Sequence, residues 1–341
     1  MVTIDGSIGE GGGQVLRSSL ALAMITLTPV RLVNIRAGRP KPGLQRQHLT
    51  SVEAAATISG ATVCGAAIGS RELTFQPGAV QPGEYHFAVG TAGSASLVLQ
   101  TVLPPLLIAN APSRLTVEGG THNSHAPPFD FLERSFLPLI NRMGAHVEAR
   151  LDRHGFYPRG GGRLHVDISP ATELAPLDLD ERDDLRRIRA TAVVAGLPRH
   201  IAERELKLVR TALDLNPDAL SIRELPPDQG PGNVLLIEIE NEHVTEIITS
   251  FGSRGVRAES VAHSAITEAK HYLAANVPVG EHLADQLLLP LALARGGSFI
   301  TLPLSRHSTT NIEVIETLLP VRFEVEVIGP KQSRVICRHS S

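Results

Sequence analysis

Apolar and polar positions along this chain repeat themselves at long range. From Gly9 to Arg36, GEGGGQVLRSSLALAMITLTPVRLVNIR passes from a glycine-bearing loop through an apolar stretch of helical spacing to a short strand. From Gly280 to His307, GEHLADQLLLPLALARGGSFITLPLSRH has the same length and aligns with it without a gap. Glu10 falls on Glu281, Gln14 on Asp285, Leu16 on Leu287, Leu20 to Ala23 on Leu291 to Ala294, and Arg36 on His307. A weaker third copy, GTAGSASLVLQTVLPPLLIANAPSRLTVEGG, runs from Gly90 to Gly120. Each copy predicts a loop, an apolar helix and a strand, and a repeat constrains architecture before any single element does. Three copies packed around a pseudo-threefold axis would bring loops and strand ends of different copies to one place, His307 among them.

A stretch of different character lies between the second and third copies in chain order. It predicts a strand in RIRATAVVAG, a charged helix in RHIAERELKLVRTALDL, strands in ALSIREL and NVLLIEIE, and a helix in SVAHSAITEAKHYLAA. The turn PPDQGPGN separates two of the strands. This alternation reads as a small α/β domain, residues 183–276, inserted into a repeat body formed by residues 1–182 and 277–341.

Composition narrows the function classes. With 42% apolar residues in 341 the chain can bury a sizeable core, but aromatic residues make up only 4% and Trp is absent. Stacking on exposed aromatics is therefore a poor basis for nucleic-acid binding. A formal net charge of −3 argues against a protein that coats nucleic acid. The distribution of charge changes that picture. From Gly11 to Val52 there is no acidic residue, while Arg17, Arg31, Arg36, Arg39, Lys41 and Arg46 all fall there. Several are interleaved with Gly and Pro in IRAGRPKPGLQRQH, a stiff exposed loop suited to an anion. Two cysteines without metal spacing, no signal-like N-terminus and no long apolar window lead to the expectation of a cytoplasmic protein with no membrane span.

The candidate chemistry gathers in a few motifs. GEGGGQ offers backbone N–H groups at a helix start, where a phosphate can approach closely, yet it matches neither a P-loop nor a dinucleotide fingerprint; its plainer reading is a tight turn. Glu10 with Gln14, and Glu281 with Asp285, are matched pairs of oxygen-bearing side chains four residues apart, suited to Mg²⁺ beside substrate phosphates or simply to helix capping. His122 and His125 in GGTHNSHAPPFDF have no further ligand cluster nearby, so zinc is not expected, and Pro127 and Pro128 stiffen a loop against which a flat ring can pack. GFYPRGGG reads as a rigid turn. In SRHSTTN, His307 closes a strand, Arg306 should point away from it by strand alternation, and Ser308, Thr309 and Thr310 either orient the ring or cap the next helix.

Taken in order, GSIGEGGGQVLRSSLALA, IRAGRPKPGLQRQHLTSV, GGTHNSHAPPFDFLERSFLPLINRMG, GFYPRGGG, EHLADQLLLPLALA and SRHSTTNIEVI resemble the RNA 3′-terminal phosphate cyclase family, in its histidine-containing catalytic branch, over nearly the whole chain. The resemblance implies an α/β fold of three repeated units, each a four-stranded sheet with two helices, plus a smaller inserted α/β domain. It implies ATP-dependent conversion of an RNA 3′-phosphate end to a 2′,3′-cyclic phosphate through AMP carried covalently on His307. By the same carry-over, Gln100, Pro127, His282, Leu283, Ala284, Asp285 and Gln286 hold the nucleotide. Glu10 and Gln14 lie near its phosphates, and Glu10 and Asp285 serve Mg²⁺ or Mn²⁺. Arg17, Arg36, Arg39 and Gln47 take the RNA terminal phosphate. His282 departs from the tyrosine common in the family. The partner implied is an RNA 3′-phosphate end, and the oligomeric state stays open between monomer and homodimer. Two other readings remain at this point: a non-catalytic ribosome-maturation factor on the same scaffold, and an enolpyruvyl-type transferase on a related threefold architecture.

Overall fold

The computed structural model describes residues 1–340. Its first unit comprises β1 (Val2–Asp5), α1 (Gly13–Thr26), β2 (Val30–Val33), α2 (Arg46–Ser59), β3 (Thr62–Cys64) and β4 (Leu73–Gln76). The sheet order is β1-β2-β4-β3, with β1 and β2 parallel and the other pairings antiparallel. The second unit repeats this plan with β5 (Glu84–Ala88), α3 (Ala95–Leu107), β6 (Ser113–Gly119), α4 (Phe129–Phe131), a π-helical turn at Leu132–Phe136, α5 (Leu137–Arg142), β7 (His146–Arg153) and β8 (Gly162–Ser169), in the order β5-β6-β8-β7.

The third unit opens with β9 (Leu177–Leu179) and is then interrupted. The interruption holds β10 (Leu185–Ala195), α6 (His200–Leu213), β11 (Leu220–Leu225), β12 (Gly232–Asn241), β13 (Thr245–Phe251) and α7 (Ala258–Ala275). After it come α8 (Glu281–Leu293), β14 (Gly296–Thr301), α9 (Arg306–Leu318), β15 (Val321–Gly329) and β16 (Gln332–His339). The order β15-β16-β14-β9 reproduces the same strand sequence for the third time, whereas the interrupting sheet runs β11-β10-β12-β13. The fold is therefore α/β, with three like units and a fourth sheet of different topology. Strand β13 and helix α2 are additions to what the periodicity suggests.

The burial pattern follows from composition. Helix α1 is buried from Gln14 to Met24, so it is apolar nearly all round, as a helix enclosed by neighbours must be. Helices α3 and α8, its counterparts, are similarly enclosed, and α1 packs on α3 and α9. The interrupting sheet is covered on both faces. Ala192, Val194, Leu235 and Ile237 pack under α6 and α7, while the alternate residues Val193, Ala195, Val234 and Leu236 join the main core. That explains the unbroken apolar run VLLI in β12, since a strand with two buried faces needs no polar alternation. It also fixes the fourth sheet against the repeat body.

Candidate active site

His307 does not close a strand. Strand β14 ends at Thr301, and Ser305 then caps α9 by accepting a hydrogen bond from Ser308 N at 3.2 Å, which places Arg306 and His307 in the first helical turn. The ungapped alignment of Arg36 with His307 fails for the same reason. Residues 302–305 link strand to helix in the third unit, but the first unit inserts the longer loop 34–45 between β2 and α2. Counted from the helix caps Gln45, Pro128 and Ser305, the structural counterparts of His307 are Gln47 in the first unit and Asp130 in the second. Arg36 instead sits in loop 34–45 at φ +53°, and its Nη1 donates to the carbonyls of Lys41 at 2.6 Å and Gly43 at 2.9 Å.

The start of α9 is fastened to the glycine loop of the first unit. Glu10 N donates to Thr310 Oγ1 at 3.1 Å, and Arg306 Nη2 donates to the Gly9 carbonyl at 3.0 Å. Gly9 has φ +54°, and a Cβ there would overlap the Thr310 side chain, so only glycine allows this approach. Arg306, expected to diverge from His307 by strand alternation, lies in a helical turn instead and staples α9 to the same glycine loop that carries Glu10. The fastening brings Glu10 Oε1 to 3.6 Å from His307 Nδ1, while the other Glu10 oxygen pairs with Arg39. The His307 side chain is 55% exposed and that of Glu10 only 8%. Burial lowers the His307 pKa; Arg39, Arg17 and His282 push the same way and Asp285 opposes them. Burial and these cations therefore favour the neutral form of an imidazole that is half-exposed.

Behind His307 the first helices of all three units meet. Arg17 Nε donates to Gln100 Oε1 at 2.8 Å, and Gln100 Nε2 donates to Gln286 Oε1 at 2.9 Å. Gln286 Nε2 donates to Asp285 Oδ2 at 3.3 Å, and Gln14 Nε2 donates to Asp285 Oδ1 at 2.7 Å. This ladder ties α1, α3 and α8 together at the axis, and below it lies an apolar pocket lined by Leu99, Leu103, Leu132, Phe136 and Leu289. Asn311, one helical turn beyond His307, extends the ladder through 3.4 Å to Asp285 Oδ1 and a 2.7 Å bond from Ser18 Oγ. Burial raises the Asp285 pKa, against the pull of Gln14, His307 and Arg17.

The remaining candidates are spread around this centre. Gln47 Oε1 accepts from Ser94 N at 3.0 Å, joining the first unit to the second unit's glycine loop. Pro127 lies in the loop before α4, which Phe129 N fastens to the Thr121 carbonyl at 3.1 Å. His122 is buried, hydrogen-bonded to Asp130 at 2.8 Å and Thr121 at 2.9 Å, and so braces that loop; His125 occupies φ +68°. The His282 ring is 74% exposed at the start of α8, 3.9 Å from Glu268. Leu283 and Ala284 turn fully buried side chains into the core, and Ala284 N donates to the Gly280 carbonyl, so of the two it is the Leu283 backbone N–H, in the uncapped first turn of α8, that is left without an acceptor among the described residues.

Comparison with known proteins decides what this geometry belongs to. The family model described as RNA 3′-terminal phosphate cyclase matches residues 8–325. An RNA 3′-terminal phosphate cyclase of Koribacter versatilis is 54% identical over 325 residues, covering 95% of this chain and 92% of that protein. One of Pseudomonas fluorescens is 52% identical over 337 residues, covering 99% and 98%. One of Ectopseudomonas mendocina is 54% identical over 322 residues, covering 94% of each. The chain belongs to the RNA 3′-terminal phosphate cyclase family.

Membership of the cyclase family sets aside the enolpyruvyl-type alternative and gives the metal expectation a test. Mg²⁺ commonly takes one or two carboxylates beside substrate phosphates. Glu10 fits through one oxygen: Oε2 pairs with Arg39, while Oε1, beside His307, accepts no hydrogen bond among the described residues. Asp285 does not fit, because Gln14, Gln286 and Asn311 already donate to both of its oxygens. Among the described residues no group of three or more His, Cys, Asp or Glu side chains gathers to hold a metal alone. No helix among them is long and apolar enough to cross a membrane. Two further residues at this centre lie within SRHSTTN and IRAGRPKPGLQRQHLTSV but outside the candidate set. Asn311 has one available signal, its spacing of four from His307 on a helix. His48 has a similar one, its place three residues after the helix cap Gln45.

Proposed function

We propose that this chain converts RNA 3′-phosphate ends to 2′,3′-cyclic phosphates with ATP, through AMP carried on His307. The observation that carries the reading is a neutral, half-exposed imidazole whose Nδ1 faces Glu10 and whose Nε2 is therefore the free nucleophile. Nε2 attacks the α-phosphorus of ATP, the α–β phosphoanhydride breaks and pyrophosphate leaves. An oxygen of the RNA 3′-phosphate then attacks the phosphoramidate phosphorus and His307 leaves. The vicinal 2′-hydroxyl finally attacks the 3′-phosphorus, and AMP departs with the electrons of the anhydride bond. A divalent cation on Glu10, Mg²⁺ or Mn²⁺, supplies charge neutralisation at the phosphates.

The chain's own residues divide these tasks. Gln100, Asp285 and Gln286, with Gln14, form the polar floor for the nucleotide; Pro127 and His282 flank its base. Arg17, Arg36, Arg39 and Gln47 receive the RNA terminal phosphate, with fixed positive charge where negative charge develops. Residues 1–182 and 277–341 form the catalytic body, and 183–276 an appended module. The two free cysteines suit a reducing cytoplasm.

Incubation with α-labelled ATP and Mg²⁺ tests the reading. Wild type should acquire an acid-labile covalent label that His307→Ala lacks, and the label should pass to a 3′-phosphorylated oligoribonucleotide that ends cyclic. An unlabelled wild type would mean a non-catalytic member of the family, and undiminished label on His307→Ala would remove His307 from the mechanism.

A further inference from the structure

We infer that His48 is a ligand for the RNA terminal phosphate, donating from Nε2 into a cradle that it forms with Arg17 and Gly13. The inference rests on the cyclase reading and adds to it a residue outside the set that the resemblance supplies.

His48 is 5% exposed and Arg17 8%. Nδ1 of His48 accepts the Gln45 N–H at 3.2 Å, a capping contact at the start of α2, so in the neutral ring the proton belongs to Nε2. Nε2 has no hydrogen-bond partner among the described residues. A Cβ added to Gly13 would overlap both His48 Nε2 and Arg17 Nη1, so the two nitrogens converge beside the Gly13 Cα at the opening of α1, an approach that only glycine permits, and they flank one hollow in front of that turn. Gly13 is the first residue of α1, whose opening turn has no side-chain cap and no acidic residue, so its free N–H groups also favour an anion there. Arg17 has no carboxylate within ion-pair distance among the described residues; Nε goes to Gln100, and the counter-charge that acts on the guanidinium is Asp285, beyond ion-pair reach and itself held by Gln14. A nearly buried cation without a partner is costly unless an anion completes it.

A neutral donor suits this place better than a third arginine. Burial lowers the Arg17 pKa to about 10, and burial with Arg17 and Arg36 nearby lowers that of His48 to about 3. Histidine therefore contributes a hydrogen bond to the phosphate without adding repulsion when the hollow is empty. The anion is committed to the RNA 3′-phosphate because Gln47, the next residue toward the helix cap, lies on the RNA side of the reading; the phosphates of ATP share the chemistry and are separated by the test.

The test compares wild type with His48→Asn and His48→Gln. Asn keeps an acceptor for Gln45 N and loses the far donor, whereas Gln reaches the hollow with its amide; thermal melts within a few degrees of wild type establish that both fold. Binding of a 3′-phosphate oligoribonucleotide by anisotropy should weaken about tenfold in His48→Asn, with most of it recovered in His48→Gln. Binding of the matching 3′-hydroxyl strand and the ATP KM for enzyme adenylation should stay within about twofold. Equal losses for both strands, no loss, or a raised ATP KM alone would each overturn the inference. If wild type prefers the 3′-phosphate strand but never becomes adenylated, the cradle stands and the chemistry of the preceding section fails.

Discussion

Glu10 of the first unit and His307 of the third face each other with Oε1 3.6 Å from Nδ1, although they lie at opposite ends of the chain. In the mechanism proposed above, a carboxylate there favours the tautomer with its proton on Nδ1, which would leave Nε2 free to attack phosphorus. Glu10→Gln keeps the size and loses the charge, and it leaves Arg39 unpaired. Single-turnover adenylation should fall by about a hundredfold, the scale on which a misplaced nucleophile costs rate. An unchanged rate in rapid-quench measurements would show that Glu10 does not position His307.

The pH dependence of adenylation should report the cations around His307. Burial lowers its pKa from 6.5, with Arg39, Arg17 and His282 acting in the same sense and Asp285 against it. The neutral nucleophile therefore persists below pH 6.5, and the acid limb of the rate profile should lie there. Arg39→Ala removes one lowering influence and also leaves the Glu10 carboxylate unneutralised, which favours the imidazolium. Both effects move the acid limb toward higher pH. A limb that stays in place when the single-turnover rate is followed from about pH 5 to pH 8 would count against Arg39 acting on His307.

How much of this was legible in the chain differs from element to element. The helices α1, α3 and α8 announce themselves because burial on all sides forces an apolar composition, and the repeated Leu-Ala-Leu-Ala string marks equivalent positions. The resemblance across six ordered motifs carried the family. The pairing of Arg36 with His307 went astray because the ungapped match holds through helix and strand but not through the link that follows, where the first unit inserts the Arg-rich loop. His307 consequently has Gln47 as its counterpart. Leu283 and Ala284 lie within a recognisable motif, and helical periodicity turns their side chains into the core, so any part they take falls to backbone groups at the start of α8. His48 was missed because its role depends on a missing Cβ at Gly13, a property of space between segments that no local pattern encodes.

His122 and Asp130 should behave as a buried pair. Burial by itself would raise the Asp130 pKa, but the His122 hydrogen bond and charge, then Arg223 and Arg134, hold it at about 2. The stability this contributes is full above pH 3.8 and is lost as pH falls through about 2. His122→Ala leaves the carboxylate buried with weaker compensation and should cost about 3–5 kcal/mol at neutral pH by urea denaturation. The deficit should narrow near pH 3, where a carboxyl freed from His122 takes a proton. A deficit that does not vary with pH would mean that packing, not charge, is what His122 supplies. Because this pair braces the loop carrying Pro127, the ATP KM should rise in the same variant.

Glu246 joins the interrupting sheet to α8, accepting the Gly280 N–H at 2.5 Å where that helix begins. Burial pushes its pKa from 4.5 to about 8, with Glu268 adding to the rise and the Gly280 bond opposing it. The folded state thus holds a proton that the unfolded chain releases between those two values. Stability is full below pH 4.5 and is lost as pH rises through about 8. Glu246→Gln keeps an acceptor for Gly280 and removes the ionisation. Its melting temperature should vary less than that of wild type between about pH 5.5 and pH 8.5, and at the upper end should exceed it by a few degrees. Parallel pH profiles for the two proteins would show that Glu246 stays ionised. The cap would then act on α8 as a carboxylate at a helix start, and alkaline conditions would leave the contact between the interrupting sheet and Gly280 intact.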